Sequence, residues 1–282
     1  MLVNTSRELI DTVKKIRASE STIGLVPTMG YLHDGHSSLI KLAKLQADFV
    51  LVTDFVNPLQ FGPNEDFDSY PKDLERDLKI AHSAGADLLF APSIDELYGK
   101  DEVKTSVRVK GLSSLLEGAE RPGHFDGVAT VVTKLFSLVG EAKAYFGEKD
   151  YQQLQIVRTL VKDLSLPIEI VGVKTVREPD GLAMSSRNVR LTKEEREEAK
   201  TLYQVLLLGK ELIKQGLSDV ETIEQEMIKL FASNTIAVLD YVCIVDSKTL
   251  EPLKKVTNEA RILIAARFPS ARLIDNIGVS IP

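Results

Sequence analysis

Apolar and polar positions follow two rhythms along the chain up to about residue 190. Short, mainly apolar runs occur at 23–28, 49–52, 87–90, 144–146 and 168–171, the length and texture of strands in a parallel sheet covered on both faces. Between them lie segments whose apolar residues recur three and four apart. One spans 6–18, with Leu9, Ile10, Val13 and Ile16 on its inner side and Ser6 as the expected cap. Another runs 36–46 and turns Leu39, Ile40, Leu42, Ala43 and Leu45 inward; further helices are expected at 71–84, 126–139 and 150–164. Strands alternating with amphipathic helices predict an α/β fold, a Rossmann-like parallel sheet with helices on both faces. Such sheets bind ligands beyond the carboxyl ends of their strands, so the turns that directly follow strands are where chemistry is expected.

The rhythm changes after Leu191. Thr192 is placed to cap a long charged helix that opens with Lys193-Glu194-Glu195-Arg196-Glu197-Glu198, and this charge run reads as a solvated face. A helix at 220–232 and strands at 239–245, 261–268 and 272–277 follow. The expected organisation is a catalytic domain over 1–188 and a smaller C-terminal α+β domain over 189–282 that covers its site. There is no internal repeat or low-complexity stretch.

Composition narrows the field. With 282 residues, 44% hydrophobic and 27% charged, the chain has the make-up of an ordinary globular enzyme. Its net charge of -6 supplies no global positive field for nucleic acid, though a local basic pocket for a small anion is compatible with it. Cys243 is the one cysteine, set in the apolar run Val242-Cys243-Ile244-Val245, so no internal disulfide or cysteine cluster can form. A small buried strand residue is the simpler reading of Cys243 than a nucleophile. The N-terminal residues have no apolar core of signal-peptide length, and no apolar run approaches a membrane span. The expectation is a cytoplasmic protein without nucleic-acid or membrane partners.

The first strand ends in Pro27-Thr28-Met29-Gly30-Tyr31-Leu32-His33-Asp34-Gly35-His36. Two histidines three residues apart can be metal ligands, but no cysteine, third histidine or HExxH pattern completes a set. A plain surface turn at Asp34-Gly35 is the other alternative. A nucleotide site accounts for the whole turn: glycines let backbone approach, a helix N-terminus offers amides to phosphate, and imidazoles donate to phosphate oxygens.

Three later segments bear on the same question. Asn57-Pro58-Leu59-Gln60 follows the second strand of this series, and Gln60 carries both donor and acceptor, suited to a hydroxy acid. Gly147-Glu148-Lys149-Asp150-Tyr151-Gln152-Gln153 offers a close approach, a cation for phosphate and a carboxylate for ribose, although an ordinary helix cap explains Asp150 equally well. Asp180-Gly181 alone suggests a hairpin turn, but Ser185-Ser186-Arg187 beyond it is a compact donor set for polyphosphate. Arg121-Pro122-Gly123-His124 adds an arginine and a histidine before a helix. Neither a P-loop nor a G-x-G-x-x-G fingerprint is present, which disfavours a P-loop kinase and an ordinary dehydrogenase.

The segments VPTMGYLHDGH (26–36), FVNPLQF (55–61), RPGHFDGVATVV (121–132), YFGEKDYQQL (145–154) and DGLAMSSRN (180–188) occur in an order that resembles the pantoate–β-alanine ligase (pantothenate synthetase) family of the HxGH nucleotidyltransferase superfamily. The likeness covers the first domain throughout, and the C-terminal part fits in length and character. Five ordered motifs discriminate further than HxGH, which adenylyltransferases and class I aminoacyl-tRNA synthetases share.

The resemblance implies an AMP-forming ligase in coenzyme A biosynthesis that condenses (R)-pantoate with β-alanine through a pantoyl adenylate. ATP with Mg2+ is then a substrate, no organic prosthetic group is needed, and a homodimer is expected. It assigns catalysis to His33, His36, Lys149, Ser185, Ser186 and Arg187, with His36 the usual proton donor to phosphate. Met29, Gly30, Tyr31, Leu32, Asp34, Gly35, Gly147, Glu148, Asp150, Val176 and Met184 complete the ATP-binding set, within which Tyr31 and Asp34 stand at variable positions. Gln60 and Gln153 would bind pantoate, with Asn57, Arg121 and His124 beside them; Asp77 would be an outer-shell magnesium partner.

Overall fold

The computed structural model describes residues 1–63, 65–101 and 103–281. The chain forms two compact units: Met1–Glu148 with Gln152–Lys174, and Lys149–Tyr151 with Thr175–Pro282.

In the first unit the apolar runs become strands, and those at 49–52 and 88–90 are buried almost throughout. The elements are β1 (Leu2–Val3), α1 (Ser6–Ala18), β2 (Ile23–Thr28), α2 (Asp34–Gln46), β3 (Phe49–Asp54), α3 (Leu74–Ala84), β4 (Leu88–Phe90), α4 (Ile94–Tyr98), α5 (Glu117–Glu120), α6 (His124–Val139), β5 (Ala142–Gly147), α7 (Tyr151–Asp163, whose first residue belongs to the second unit) and β6 (Ile168–Val173). The strands form one parallel sheet in the order β1-β4-β3-β2-β5-β6. From β2 the chain steps outward to β3 and β4, then returns to place β5 on the other side of β2. The switch point therefore lies between the carboxyl ends of β2 and β5, the place where parallel sheets of this kind hold ligands.

Alternate residues of the central strands face opposite layers. Val26, Val50, Val52 and Leu89 pack with Leu39, Ile40 and Ala43 of α2 and Ala81 and Ala84 of α3. Their neighbours Leu25, Leu51 and Leu88 are fully buried too. Each such aliphatic burial stabilises the fold by roughly 2 kcal/mol.

Observed ends differ from expected ones where a side chain caps. The cap of α1 is Thr5, not Ser6, in a capping box with Glu8. Helix α2 begins at Asp34, ahead of the expected His36, because His33 acts as its cap. The two-residue β1, which pairs Leu2 with Leu89 and Val3 with Phe90, is too short to carry a periodicity.

The second unit contains α8 (Lys193–Glu198), α9 (Thr201–Lys214), α10 (Val220–Asn234) and the antiparallel sheet β7 (Val238–Asp246), β8 (Ala260–Arg267) and β9 (Arg272–Val279) in that order. Leu202, Val205 and Leu206 of α9 and Ile223, Met227 and Phe231 of α10 pack on Ile244, Ile262 and Ile264 of the sheet. The single long helix expected after Thr192 is two helices, with Thr192 and Glu195 forming a capping box on the first. This unit begins at Thr175, well before the change in composition that suggested a boundary at 188/189. Leu182 is buried in its core, and Arg177 pairs through both guanidinium nitrogens with the buried carboxylate of Asp275, at 2.6 and 2.9 Å. Cys243 lies partly buried on β7; burial and then the Glu224 charge push its thiol up to about 12, so it stays protonated.

Candidate active site

The turn after β2 is shaped by two backbone positions with positive φ, Gly30 at 78° and Tyr31 at 48°. A Cβ on Gly30 would stand 2.2 Å from an Asp54 carboxylate oxygen, so this residue must be glycine for the turn to close. The chain then reaches His33, whose Nδ1 accepts the Gly35 amide at 3.1 Å, while Nδ1 of His36 accepts the His33 amide at 3.3 Å. An amide N–H can only donate, so neither Nδ1 carries a proton in the neutral rings. Both imidazoles are thereby held as Nε2–H tautomers. Their ring centroids are 4.1 Å apart. The result is two ring N–H donors at the N-terminus of a 13-residue helix, whose own amides and dipole favour an anion.

Beneath this turn Asp77, fully buried on α3, accepts the amides of Tyr31 and of Leu32, the latter at 2.7 Å. Arg76 donates to the Leu32 carbonyl at 2.8 Å, lies 3.4 Å from Asp77 Oδ1, and stacks over the Tyr31 ring. Burial, the Asp77 charge and a hydrogen bond with Asp77 together push the Asp54 carboxyl up to about 7. The two acids thus share a proton near neutrality, and burial raises Asp77 against the pull of its amide donors. With both oxygens engaged by main-chain donors, Asp77 braces the turn. Among the described residues no three His, Cys, Asp or Glu side chains gather as a metal set.

The turn after β3 is locked to the same region. Gln60, 6% exposed, donates from Nε2 to the Met29 sulfur at 2.9 Å. Its Oε1 accepts from Asn57 Nδ2 at 3.0 Å, and the same Asn57 nitrogen donates to the Gly127 carbonyl. Asn57 Oδ1 accepts from the Leu59 amide and from the Tyr98 hydroxyl at 2.8 Å. Main-chain partners therefore fix the Asn57 amide, which in turn makes Oε1 of Gln60 the acceptor and Nε2 the donor. Burial pushes the Tyr98 phenol up, so its hydroxyl remains a donor.

Arg121 and His124, expected beside the substrate, both hold the Gln60 carbonyl. His124 Nδ1 donates to the Gln60 carbonyl at 2.7 Å, leaving Nε2 to accept from Arg121 at 3.2 Å. Burial and the Arg121 charge push His124 down to about 4, consistent with that neutral tautomer. Arg121 is also bound bidentately by Glu65. The sequence argument missed Glu65, Tyr98 and Asp54 because each lies outside a motif or beside its informative letters. Gln153 is half-buried on α7, while its neighbour Gln152 is buried and ties down the Leu112 and Leu115 carbonyls and the Glu117 amide.

Gly147 and Glu148 end the first unit's approach; Lys149 and Asp150 group with the second. Lys149 Nζ lies 3.3 Å from Asp150 Oδ1. Also in the second unit, the Met184 amide donates to the Val176 carbonyl at 3.0 Å, bringing together two residues expected to line adenosine. Arg177 bridges to Ala183 across the Asp180-Gly181 turn, which is a tight reversal with Gly181 at φ 96°. Ser185 then caps the short helix Ser186–Arg190 by accepting the Arg187 amide; Ser186 is buried and Arg187 half-buried.

The arrangement can be compared with known proteins. The family model described as Pantoate-beta-alanine ligase matches residues 1–278. A pantothenate synthetase of Aquifex aeolicus is 52% identical over 278 residues, 98% of each chain. The crystal structure of pantothenate synthetase from Thermus thermophilus superposes with a TM-score of 0.93 at 50% identity, covering 98% of each chain. That of pantoate-beta-alanine ligase from Francisella tularensis, complexed with beta-gamma ATP and beta-alanine, gives 0.80 at 35% identity over 98% of this chain and 97% of that one. Full-length similarity at this level leaves one conclusion: the chain belongs to the pantoate–β-alanine ligase family.

Proposed function

We propose that the chain joins pantoate to β-alanine in two steps through a pantoyl adenylate, with the HxGH turn as the centre of the first step. ATP-dependent ligation of these two acids is the activity of the family. The observation that carries the residue assignment is the fixed tautomer pair: His33 and His36 each keep Nδ1 for an amide and hold an Nε2–H donor at a helix N-terminus.

In the first step a pantoate carboxylate oxygen attacks the α-phosphorus of Mg-ATP, and the bond to pyrophosphate breaks. An anion approaching a polyanion is opposed by charge, so donors already aimed at the phosphates lower the barrier without reorganising. His33 and His36 fill that role, joined by Lys149, Ser185, Ser186 and Arg187 as pyrophosphate leaves. Mg2+ enters with the nucleotide as part of the substrate. In the second step the free amine of β-alanine attacks the acyl carbon, AMP departs with the carboxylate oxygen, and the amine proton is released.

Asn57 occupies Oε1 of Gln60, so its Nε2 is the end that would read an acceptor oxygen of pantoate, the carboxylate or a hydroxyl, in exchange for the Met29 sulfur; Gln153 completes that recognition. Asn57, Arg121 and His124 act one layer back, by holding Gln60. Met29, Gly30, Gly147, Asp150, Val176 and Met184 form the adenosine part of the assignment. The family likeness also carries a homodimer and a cytoplasmic location, checked by sedimentation and by cell fractionation; no helix among the described residues is long and apolar enough to cross a membrane.

Pantoate-dependent exchange of pyrophosphate into ATP tests the first step, and a product assay omitting each substrate in turn tests the whole. His36→Ala should lower turnover by about a hundredfold with the fold intact by circular dichroism. Exchange without pantoate, or an unchanged rate in His36→Ala, would defeat the assignment.

A further inference from the structure

Three residues interrupt the first unit. Glu148 before them and Gln152 after them belong to it, yet Lys149–Tyr151 group with the C-terminal residues. Side chains of the C-terminal sheet explain why. Asn276 of β9, 3% exposed, donates from Nδ2 to the Lys149 carbonyl at 2.7 Å. Its Oδ1 accepts from Arg261 Nε of β8, also at 2.7 Å. A carbonyl cannot donate and a guanidinium cannot accept, so these two partners allow the Asn276 amide one orientation. Arg261 then lies with its guanidinium 3.9 Å from the centroid of the Tyr151 ring. The Tyr151 hydroxyl donates to the Ser247 carbonyl, just beyond β7, at 2.8 Å.

The turn is thus gripped on both sides of Asp150, at the Lys149 peptide and at the Tyr151 ring. The grip is itself braced. The Asn276 main-chain N–H donates to Asp275 Oδ1 at 2.7 Å, Asp275 is paired with Arg177, and Arg177 reaches the Asn276 main-chain carbonyl at 3.3 Å. A lysine side chain is four flexible bonds long, and what it reaches depends on where its own backbone is held. Holding the Lys149 peptide removes the freedom nearest the root of that chain, which is the costliest to remove at the moment of binding.

We propose that Asn276, backed by Arg261, is a positioning residue for the ATP half-reaction: it fixes the Lys149 peptide and so aims the Lys149 ammonium at the nucleotide's phosphates. The proposal rests on the assignment of Lys149 to phosphate, and it gives the C-terminal sheet a part in adenylation. Pantoate recognition is assigned to other side chains, and Gln60 among them stands on the turn after β3, remote in sequence from this grip.

Asn276→Asp is the sharpest test, because it keeps shape and the acceptor for Arg261 while setting an oxygen against the Lys149 carbonyl. Its KM for ATP should rise, and its pantoate-dependent pyrophosphate exchange fall, by about tenfold or more, the loss of one buried hydrogen bond expressed in a binding equilibrium. Its KM for pantoate should stay within about twofold of the parent, a split that general loosening of the fold does not produce. Arg261→Lys keeps the charge but loses the flat stack on Tyr151 and the Nε donor, and should show a smaller shift of the same kind. If Asn276→Asp does not fold, as judged by thermal unfolding, Arg261→Lys carries the comparison alone. The double variant Lys149→Ala, Asn276→Asp should be no worse than Lys149→Ala, since Asn276 acts through Lys149. A defective Lys149→Ala beside an unaffected Asn276→Asp, or additive losses in the double variant, overturns the positioning role. An unaffected Lys149→Ala overturns the phosphate assignment first, and this proposal with it.

Discussion

Asp54 and His124 are both shifted from their ordinary protonation equilibria, and their effects on stability have opposite signs. Folded Asp54 keeps its proton to about pH 7, whereas the ordinary value is 3.8. Between these values the folded state holds the extra proton, so the contribution of Asp54 is present at the acid end and is lost as pH rises through about 7. His124 goes from an ordinary 6.5 to about 4, so between those values the unfolded state holds the extra proton and stability falls on acidification. Replacing Asp54 with Asn removes the repulsion from Asp77 while keeping a donor. Asp54→Asn should therefore be neutral near pH 4 and gain roughly 1–3 kcal/mol near pH 8, read as a difference in Tm that widens with pH. A constant difference would mean that the two acids do not share a proton. None of this was legible in the sequence. Asp77 stands out only through the family resemblance, with Glu75 beside it on the same helix; its amide partners Tyr31 and Leu32 come from a turn 45 residues or more away along the chain, and Asp54 carried no signal beside the stronger letters Asn57 and Gln60.

Among the elements, strands were more legible than caps: Thr192 caps as expected, whereas Thr5 and His33 displace the starts expected at Ser6 and His36. The mainly apolar runs at 23–28, 49–52 and 168–171 all lie within observed strands; burial is most complete in the two central ones, β2 and β3. Helix starts depend on one side chain, so α2 opened earlier than its apolar spacing implied: histidine is an unusual cap, and here the side chain proposed to meet phosphate is also the cap. Helix α6 shows a second dependence. A Cβ at Gly127 would stand 2.1 Å from the Leu59 carbonyl oxygen and 2.5 Å from the Gln60 nitrogen, so this helix lies directly against the turn it supports. Gly127→Ala must push backbone from backbone. It should cost roughly 1–3 kcal/mol and raise KM for pantoate by about tenfold, with a smaller effect on ATP. Kinetics with each substrate varied separately checks this, and equal effects on both would separate Gln60 from pantoate.

For the molecule as a whole, alternation of strand and helix announced a parallel sheet, and the strand order explains why motifs so far apart in sequence matter together. The turns after β2 and β5 flank the one place where the order reverses. That reversal is set by which apolar face meets which, and no local pattern records it. The C-terminal sheet was legible as strands, but its reach back to residues 149–151 and 175–188 was not, since the pairs that create it, Asn276 with Lys149 and Arg177 with Asp275, join positions about a hundred residues or more apart. Arg177→Met should leave Asp275 buried without its cation and cost roughly 3–5 kcal/mol, seen as a large fall in Tm at neutral pH. A fall confined to a fraction of a degree would make that pair dispensable.

The three-residue excursion of 149–151 also bears on how the gene can be recombined. A crossover placed after Lys174 looks natural, since it separates two stretches of chain that each fold around their own core. It would nevertheless pair one parent's turn with another parent's gripping residues at Ser247, Arg261 and Asn276. Chimaeras between family members should therefore keep ATP affinity only when 149–151 travels with the C-terminal segment, so that the inheritable module is discontinuous in sequence.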